Sequence, residues 1–185
     1  NVKASPVEGK TFSHWQLTGS DTILSYSESY TFRVVSNTSV EAVYVDDGVP
    51  VVKEPVIAVT SVRAFDNKIF YEITRDIPED CKVISNGILY GTSTSLFVES
   101  DDNSRDTNLR FTDDIGSTTA KEKVYTATSS VNNNKGYFSY YLNVGNNTDR
   151  PIYLRGYVII QDEQNNIHTY YTSIIDKTYN QILNQ

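Results

Sequence analysis

A chain of 185 residues with a net charge of −7 lacks the clustered Lys/Arg footprint that phosphate binding requires, which argues against nucleic acid as a partner. A single cysteine, Cys81, excludes an intrachain disulfide, and no apolar run approaches the ~18 residues of a membrane span. The absence of Met and the start at Asn1 read as a fragment of a longer protein.

Tyr numbers 14, Thr and Ser are abundant, and Leu is sparse beside Val and Ile, a mix that favours pleated sheet over helix. Gly9–Val45 carries Phe12, Trp15, Tyr26, Tyr30, Phe32 and Tyr44 and reads as a small β module with an aromatic core. Within it Thr11–Leu17 is a strand, stopped by Gly19-Ser20-Asp21. Tyr30–Val35 and Val40–Val45 are expected to form a hairpin about Ser36-Asn37-Thr38-Ser39. So short a piece can bury only roughly 60% of its unfolded-chain surface, so it is expected to lean on its neighbour.

Two acidic residues, a Gly and two Pro between Asp46 and Pro55 mark a linker. The domains are therefore expected at 1–47 (module), 48–55 (linker, with Val49–Val52 a possible edge strand) and 56–185. Beyond it, Val56–Ala64 and Lys68–Thr74 flank a hairpin turn at Phe65-Asp66-Asn67, and Asp76–Asp80 is a turn-rich break. Cys81–Tyr90 contains Asn86-Gly87, residues that tolerate positive φ and can bulge a strand. Ser95–Val98 is a short strand, while Glu99–Asp106 and Asp113–Thr119 read as polar loops.

Lys121–Ser129 and Gly136–Val144 flank an Asn-rich turn. Pro151–Gln161 and Ile167–Ile175 flank another at Asp162–Asn166, and Asp176–Gln185 is suited to a short helix. About eight strands joined by turns, with no amphipathic helix between them, predict an all-β fold: a small N-terminal β-repeat module followed by an Ig-like antiparallel β-sandwich. Alternation puts Phe138, Tyr140, Leu142 and Val144 on one face of their strand. Ile152, Leu154, Val158 and Ile160 likewise share a face, opposite Tyr153, Arg155, Tyr157 and Ile159. These two strands are expected at the centre of the sheet.

The order Gly9-Lys10-x-Phe12-x-x-Trp15, then Ile23-Leu24-Ser25-Tyr26, then Tyr30-x-Phe32-x-Val34, then Val40-x-Ala42-Val43-Tyr44 resembles bacterial cell-surface repeats of the InlB B-repeat kind. The likeness covers about a fifth of the chain. In such repeats a strand precedes the Gly-Lys; here either that strand is cut off or Val2–Ala4 is its remnant. Gly87–Tyr90 and Arg155–Val158 are similar to Ig-like domains that follow such repeats in surface proteins of Firmicutes. The resemblance implies a spacer or adhesion element, secreted and located at the Gram-positive cell wall. It implies no catalytic chemistry.

Motifs for chemistry are sparse. His14 adjoins the core Trp15 and His168 follows a turn; no G-x-S-x-G elbow or H-E-x-x-H helix accompanies them. Asp101, Asp102, Asn103 and Asp106 could offer oxygens to Ca²⁺, but Arg105 and Asp106 stand where an EF-hand needs an oxygen ligand and Gly. A Lys–Asn isopeptide weld beside a buried carboxylate belongs to this class of protein, and sequence does not position one. Catalytic residues, metal and cofactors are therefore expected to be none.

The sharpest binding candidate is a Tyr face. If Gly136–Val144 pairs with Pro151–Gln161, Tyr137 and Tyr141 line up with Tyr153, Arg155 and Tyr157, and Tyr141 can meet Arg155 as a cation–π pair. Flat rings flanked by Asn and Asp are surfaces on which sugars stack. The expected partners are accordingly a cell-wall, host or plant glycan, or another surface protein, without membrane insertion of this segment.

Overall fold

The structure is a computed structural model that describes residues 1–32, 38–92, 111 and 134–185 in full, and the backbone of 97–99, 105–107 and 121–124. In chain order the strands are β1 (Val2–Lys3), β2 (Lys10–Leu17), β3 (Ile23–Ser25), β4 (Ser29–Tyr30), β5 (Val40–Asp46), β6 (Val56–Phe65), β7 (Lys68–Asp76) and β8 (Lys82–Gly91). There follow β9 (Phe97–Glu99), β10 (Arg105–Thr107), β11 (Lys121–Val124), β12 (Lys135–Asn143), β13 (Ile152–Gln161), β14 (Ile167–Tyr171), β15 (Ile175–Lys177) and the helix α1 (Tyr179–Leu183). The fold is all-β.

Two sheets make the sandwich. A front sheet runs β12-β7-β6; a back sheet runs β11-β8-β13-β14, with β15 pairing the first part of β13. With the separate β9–β10 pair set aside, the three-strand and five-strand antiparallel sheets face each other as a β-sandwich. Ile69, Tyr71, Ile73 and Phe138 of the front sheet close on Ile88, Ile152 and Leu154 of the back sheet as one core. At Gly156 the sheets pack too tightly for a side chain: a Cβ there would lie 2.9 Å from Ile73 Cδ1. The alternation of Phe138 and of Ile152–Ile160 thus points inward as expected.

The hairpin turns at Asp66-Asn67 and Asp162–Asn166 form where the sequence places them. Asp66, Asn67 and Asn165 adopt φ of 47°, 56° and 66°, values that Asn and Asp tolerate better than most residues. The tail forms α1, capped by a reciprocal Thr178–Gln181 box, and Tyr179 and Ile182 plug the end of the core.

Several expected pairings are not formed. β12 pairs with β7 and not with β13, so it is an edge of the front sheet while β13 is central in the back sheet. β11 pairs with β8 in the back sheet and β12 with β7 in the front sheet, so these two strands do not pair with each other; 125–133 between them lie outside the described residues. β4 pairs with β1 and β5 with β2; the hairpin expected between 30–35 and 40–45 falls on 33–37, outside the described residues. The irregularity in β8 falls at Ile84, between the residues facing Ile160 and Ile159, not at Asn86-Gly87. The polar stretch 99–106 holds part of a β9–β10 strand pair, and Val49–Val52 forms no strand. Periodicity identifies a buried face, but it does not say which of two stacked sheets a strand joins.

The N-terminal module is a β3-β2-β5 sheet with the β1-β4 pair beside it, so Val2–Lys3 does supply a preceding strand. Its core gathers Ala4, Trp15, Leu24 and Tyr30 together with Ala58 of β6, a sandwich residue only 2% exposed. The module therefore packs directly on the outer face of the front sheet.

Candidate functional site

The outer face of the front sheet is a ladder of cross-strand triplets. In register from one end these are Val56/Asp76/Lys135, Ala58/Thr74/Tyr137, Ser61/Glu72/Ser139, Arg63/Phe70/Tyr141 and Phe65/Lys68/Asn143. A bulge at Thr60 keeps Ser61, Arg63 and Phe65 on this face. The N-terminal module covers the first rungs. Asp76 Oδ2 accepts from the Ser25 hydroxyl and from the Tyr26 backbone N–H at 3.0 Å. The Tyr30 hydroxyl donates to Thr74 at 3.3 Å, and burial pushes that phenol up to about 12. Beside it Phe32 stacks on Tyr30 at 5.2 Å.

Glu72 occupies the middle rung and is 1% exposed. Its Oε2 accepts from Ser139 Oγ at 2.8 Å, and its Oε1 meets no donor among the described residues. The last two rungs are open. Phe70 is their floor, with the Arg63 guanidinium 4.7 Å from its ring centroid and the Tyr141 ring 4.9 Å away. Phe65 meets Tyr141 edge-on at 6.0 Å and 90°. Tyr141 is 52% exposed and Tyr137 43%; Lys68 and Asn143 are exposed beside them. Asn143 Oδ1 accepts the Gly145 N–H at 2.9 Å, which leaves its Nδ2 to donate elsewhere.

The five tyrosine-face residues do not come together. Tyr137 and Tyr141 lie on the outer face of the front sheet, whereas Tyr153, Arg155 and Tyr157 lie on the outer face of the back sheet, at the opposite side of the sandwich. Tyr153 and Tyr157 are buried with Leu89, Phe111 and Ile159, and Phe111 meets Tyr157 edge-on at 5.1 Å. Arg155 stacks on Tyr171 at 4.5 Å and donates through Nε to Thr172 O at 2.8 Å, so the expected Tyr141–Arg155 pair is not made. The cation on Tyr141's own rung is Arg63, across Phe70 from it. Arg63, Phe65 and Phe70 share a face through the parity of the turn at Asp66-Asn67, a signal present in the sequence and not followed there.

His14 and His168 sit apart. A chain of contacts runs from Ser13 Oγ to His14 Nδ1 at 2.9 Å, from His14 Nε2 to Gln16 Oε1 at 3.2 Å, and from Gln16 Nε2 to Glu41 at 2.8 Å. It lies across β2 and β5, and the bulge at Ser13 sets that hydroxyl beside its neighbour's ring. His168 pairs with Asp162 at 3.0 Å, and Asn166 and His168 hold the Asp162 carboxyl down at about 2. Cys81 is half-buried, and burial together with Asp80 pushes its thiol up. Among the described residues no three His, Cys, Asp or Glu converge on a metal position; Asp101–Asn103 lie outside them. Lysines described in full are exposed or half-buried.

A cleft of about 890 Å³ opens where the module meets the sandwich, lined by hydroxyls of Thr18, Ser39, Thr60 and Ser61 with Lys177 at its rim. Comparison with protein families, curated proteins and solved structures finds no match to this chain.

Proposed function

We propose that this chain is a non-catalytic spacer or adhesive unit of a secreted bacterial surface protein, holding other domains away from the cell wall. The observation that carries the reading is the junction between module and sandwich. Ala58 completes the module's core, and the buried Asp76 binds Ser25 and the Tyr26 N–H. Two units joined by shared core and buried hydrogen bonds resist bending about the 48–55 segment, and stiffness is what a stalk requires. The aromatic and β-branched residues are spent on packing, in keeping with the likeness of Gly9–Tyr44 to wall-protein repeats.

Small-angle scattering of the whole chain tests the mechanical claim. A single rigid envelope is expected, and a curve that demands a spread of inter-unit orientations would sink it. Turnover of any ester, peptide or glycoside substrate, lost on Ser13→Ala or His14→Ala, would refute the non-catalytic assignment.

A further inference from the structure

The open end of the front sheet differs from the rest of this acidic surface. Arg63 and Lys68 flank Tyr141 and Phe65, and neither forms an ion pair with a described residue. The Arg63 guanidinium rests on the rings of Phe70 and Phe65, at 4.7 and 5.7 Å; its Nε is buried and has no hydrogen-bond partner among the described residues, so the terminal Nη groups are the donors that a ligand would meet. A guanidinium held against rings keeps its planar fork of donors available for a carboxylate.

The carboxylate nearest along the sheet, Glu72, is sealed at 1% exposure and engaged by Ser139. Asp66 stands at the turn tip. The chain's net charge of −7 is spread out and screened beyond about 8 Å at physiological salt, so contact electrostatics are set by the local cations.

We propose that this platform, Arg63, Phe65, Lys68, Tyr141 and Asn143, binds a carboxylated glycan such as a uronic-acid polymer. The C–H face of a sugar ring lies on the half-exposed Tyr141, with Phe65 holding that ring edge-on. The sugar carboxylate takes the Arg63 fork, and Lys68 adds charge at the neighbouring rung. Asn143 Nδ2 donates to a ring hydroxyl. Tyr137, two residues beyond Ser139 on the same strand face, lies roughly 14 Å from Tyr141 at about 3.4 Å per residue and extends the track for a polymer. An acidic peptide would satisfy the cations but would not need the exposed ring.

The test is affinity electrophoresis of the full chain through gels holding polygalacturonate, its methyl-esterified form, dextran or poly-glutamate. Polygalacturonate is expected to retard the protein most, and retardation should fall with added salt. Arg63→Gln should weaken that retention about tenfold, the loss expected of a charge-assisted hydrogen bond, while leaving any weak retention by the methyl ester unchanged. Tyr141→Ala should abolish both; it also removes ring packing on Phe70 and Phe65, so retention is compared at a temperature where its far-ultraviolet circular dichroism matches the wild type. Equal retention by acid and ester overturns the assignment of the carboxylate to Arg63. Equal retention by poly-glutamate overturns a sugar ligand, and no retention by any polysaccharide overturns the site. The spacer reading survives all three results.

Discussion

Ser25 and Asp76, fifty-one positions apart, meet at a hydrogen bond that joins the N-terminal module to the front sheet. The same Asp76 oxygen takes the Tyr26 N–H at 3.0 Å, so one buried carboxylate organises a loop of the module. Asp76→Ala strips the acceptor from these two donors and from the Ser27 hydroxyl at 3.4 Å, and should cost about 3 kcal/mol, since buried donors left unpaired forfeit their solvation. Asp76→Asn, keeping one oxygen, should cost roughly half as much. Trp15, the chain's single tryptophan, reports the module. In the wild type its fluorescence should change together with far-ultraviolet circular dichroism on adding denaturant. In Asp76→Ala the fluorescence should change first, and coincident transitions would contradict the clasp.

Trp15 itself is 6% exposed, and its indole N–H donates to Ser27 O at 3.1 Å. Truncation to Ala removes ring packing against Phe12, whose centroid lies 5.8 Å away, and leaves a cavity in a module with little core to spare. The expected loss is about 3–5 kcal/mol, enough to unfold the module while the sandwich persists. Calorimetry of Trp15→Ala should show the main transition with reduced enthalpy. An unchanged thermogram would place Trp15 outside the core.

Gly156 packs closely against side chains of the facing sheet and of the segment after β14. A methyl there would stand 2.9 Å from Ile73 Cδ1 and 3.0 Å from Thr172 Cγ2, inside contact distance for both. Gly156→Ala is expected to destabilise by about 1–3 kcal/mol through overpacking. Ile73→Val removes the clashing Cδ1, so the double variant should recover part of the loss. A double-mutant cycle with no coupling would show that the sheets separate freely at this point.

Legibility in the sequence followed the range of the interaction. The turns at Asp66-Asn67 and Asp162–Asn166, the α1 helix and the inward faces of β12 and β13 are set by neighbours a few positions away, and all could be read. Sheet membership was not readable, because it depends on contacts between residues far apart in the chain: β11 and β12, successive strands, join different sheets. The Tyr face failed for a related reason. Alternation places Tyr153 and Tyr157 opposite Leu154, but β13 is covered on both sides, so the second face is also buried. Asp76 looked like one more acid in a turn-rich break. Its partners, Ser25 and Tyr26, lie in another unit, where no local pattern announces them.

Tyr30 gives the junction an alkaline limit. Its phenol is 5% exposed and donates to Thr74 at 3.3 Å. Burial, with the charges of Asp76 and Glu72 adding to it, pushes the group from 10.0 up to about 12. Below about pH 10 the hydroxyl is protonated in both folded and unfolded chains, so its contribution is fully present. Between about pH 10 and 12 the unfolded chain releases the proton while the folded chain must keep it, and stability falls as pH rises. The total corresponds to about 2–3 kcal/mol. Tyr30→Phe keeps the ring against Phe32 and removes the ionising group. Denaturation followed by Trp15 fluorescence should therefore show a shallower loss between about pH 10 and 12 in the variant than in the wild type. Tyr140, likewise pushed up to about 12 by burial and its bond to Tyr90, retains its own share in both. An identical decline in the two proteins would mean that Tyr30 ionises without disturbing the module's seat on the sheet.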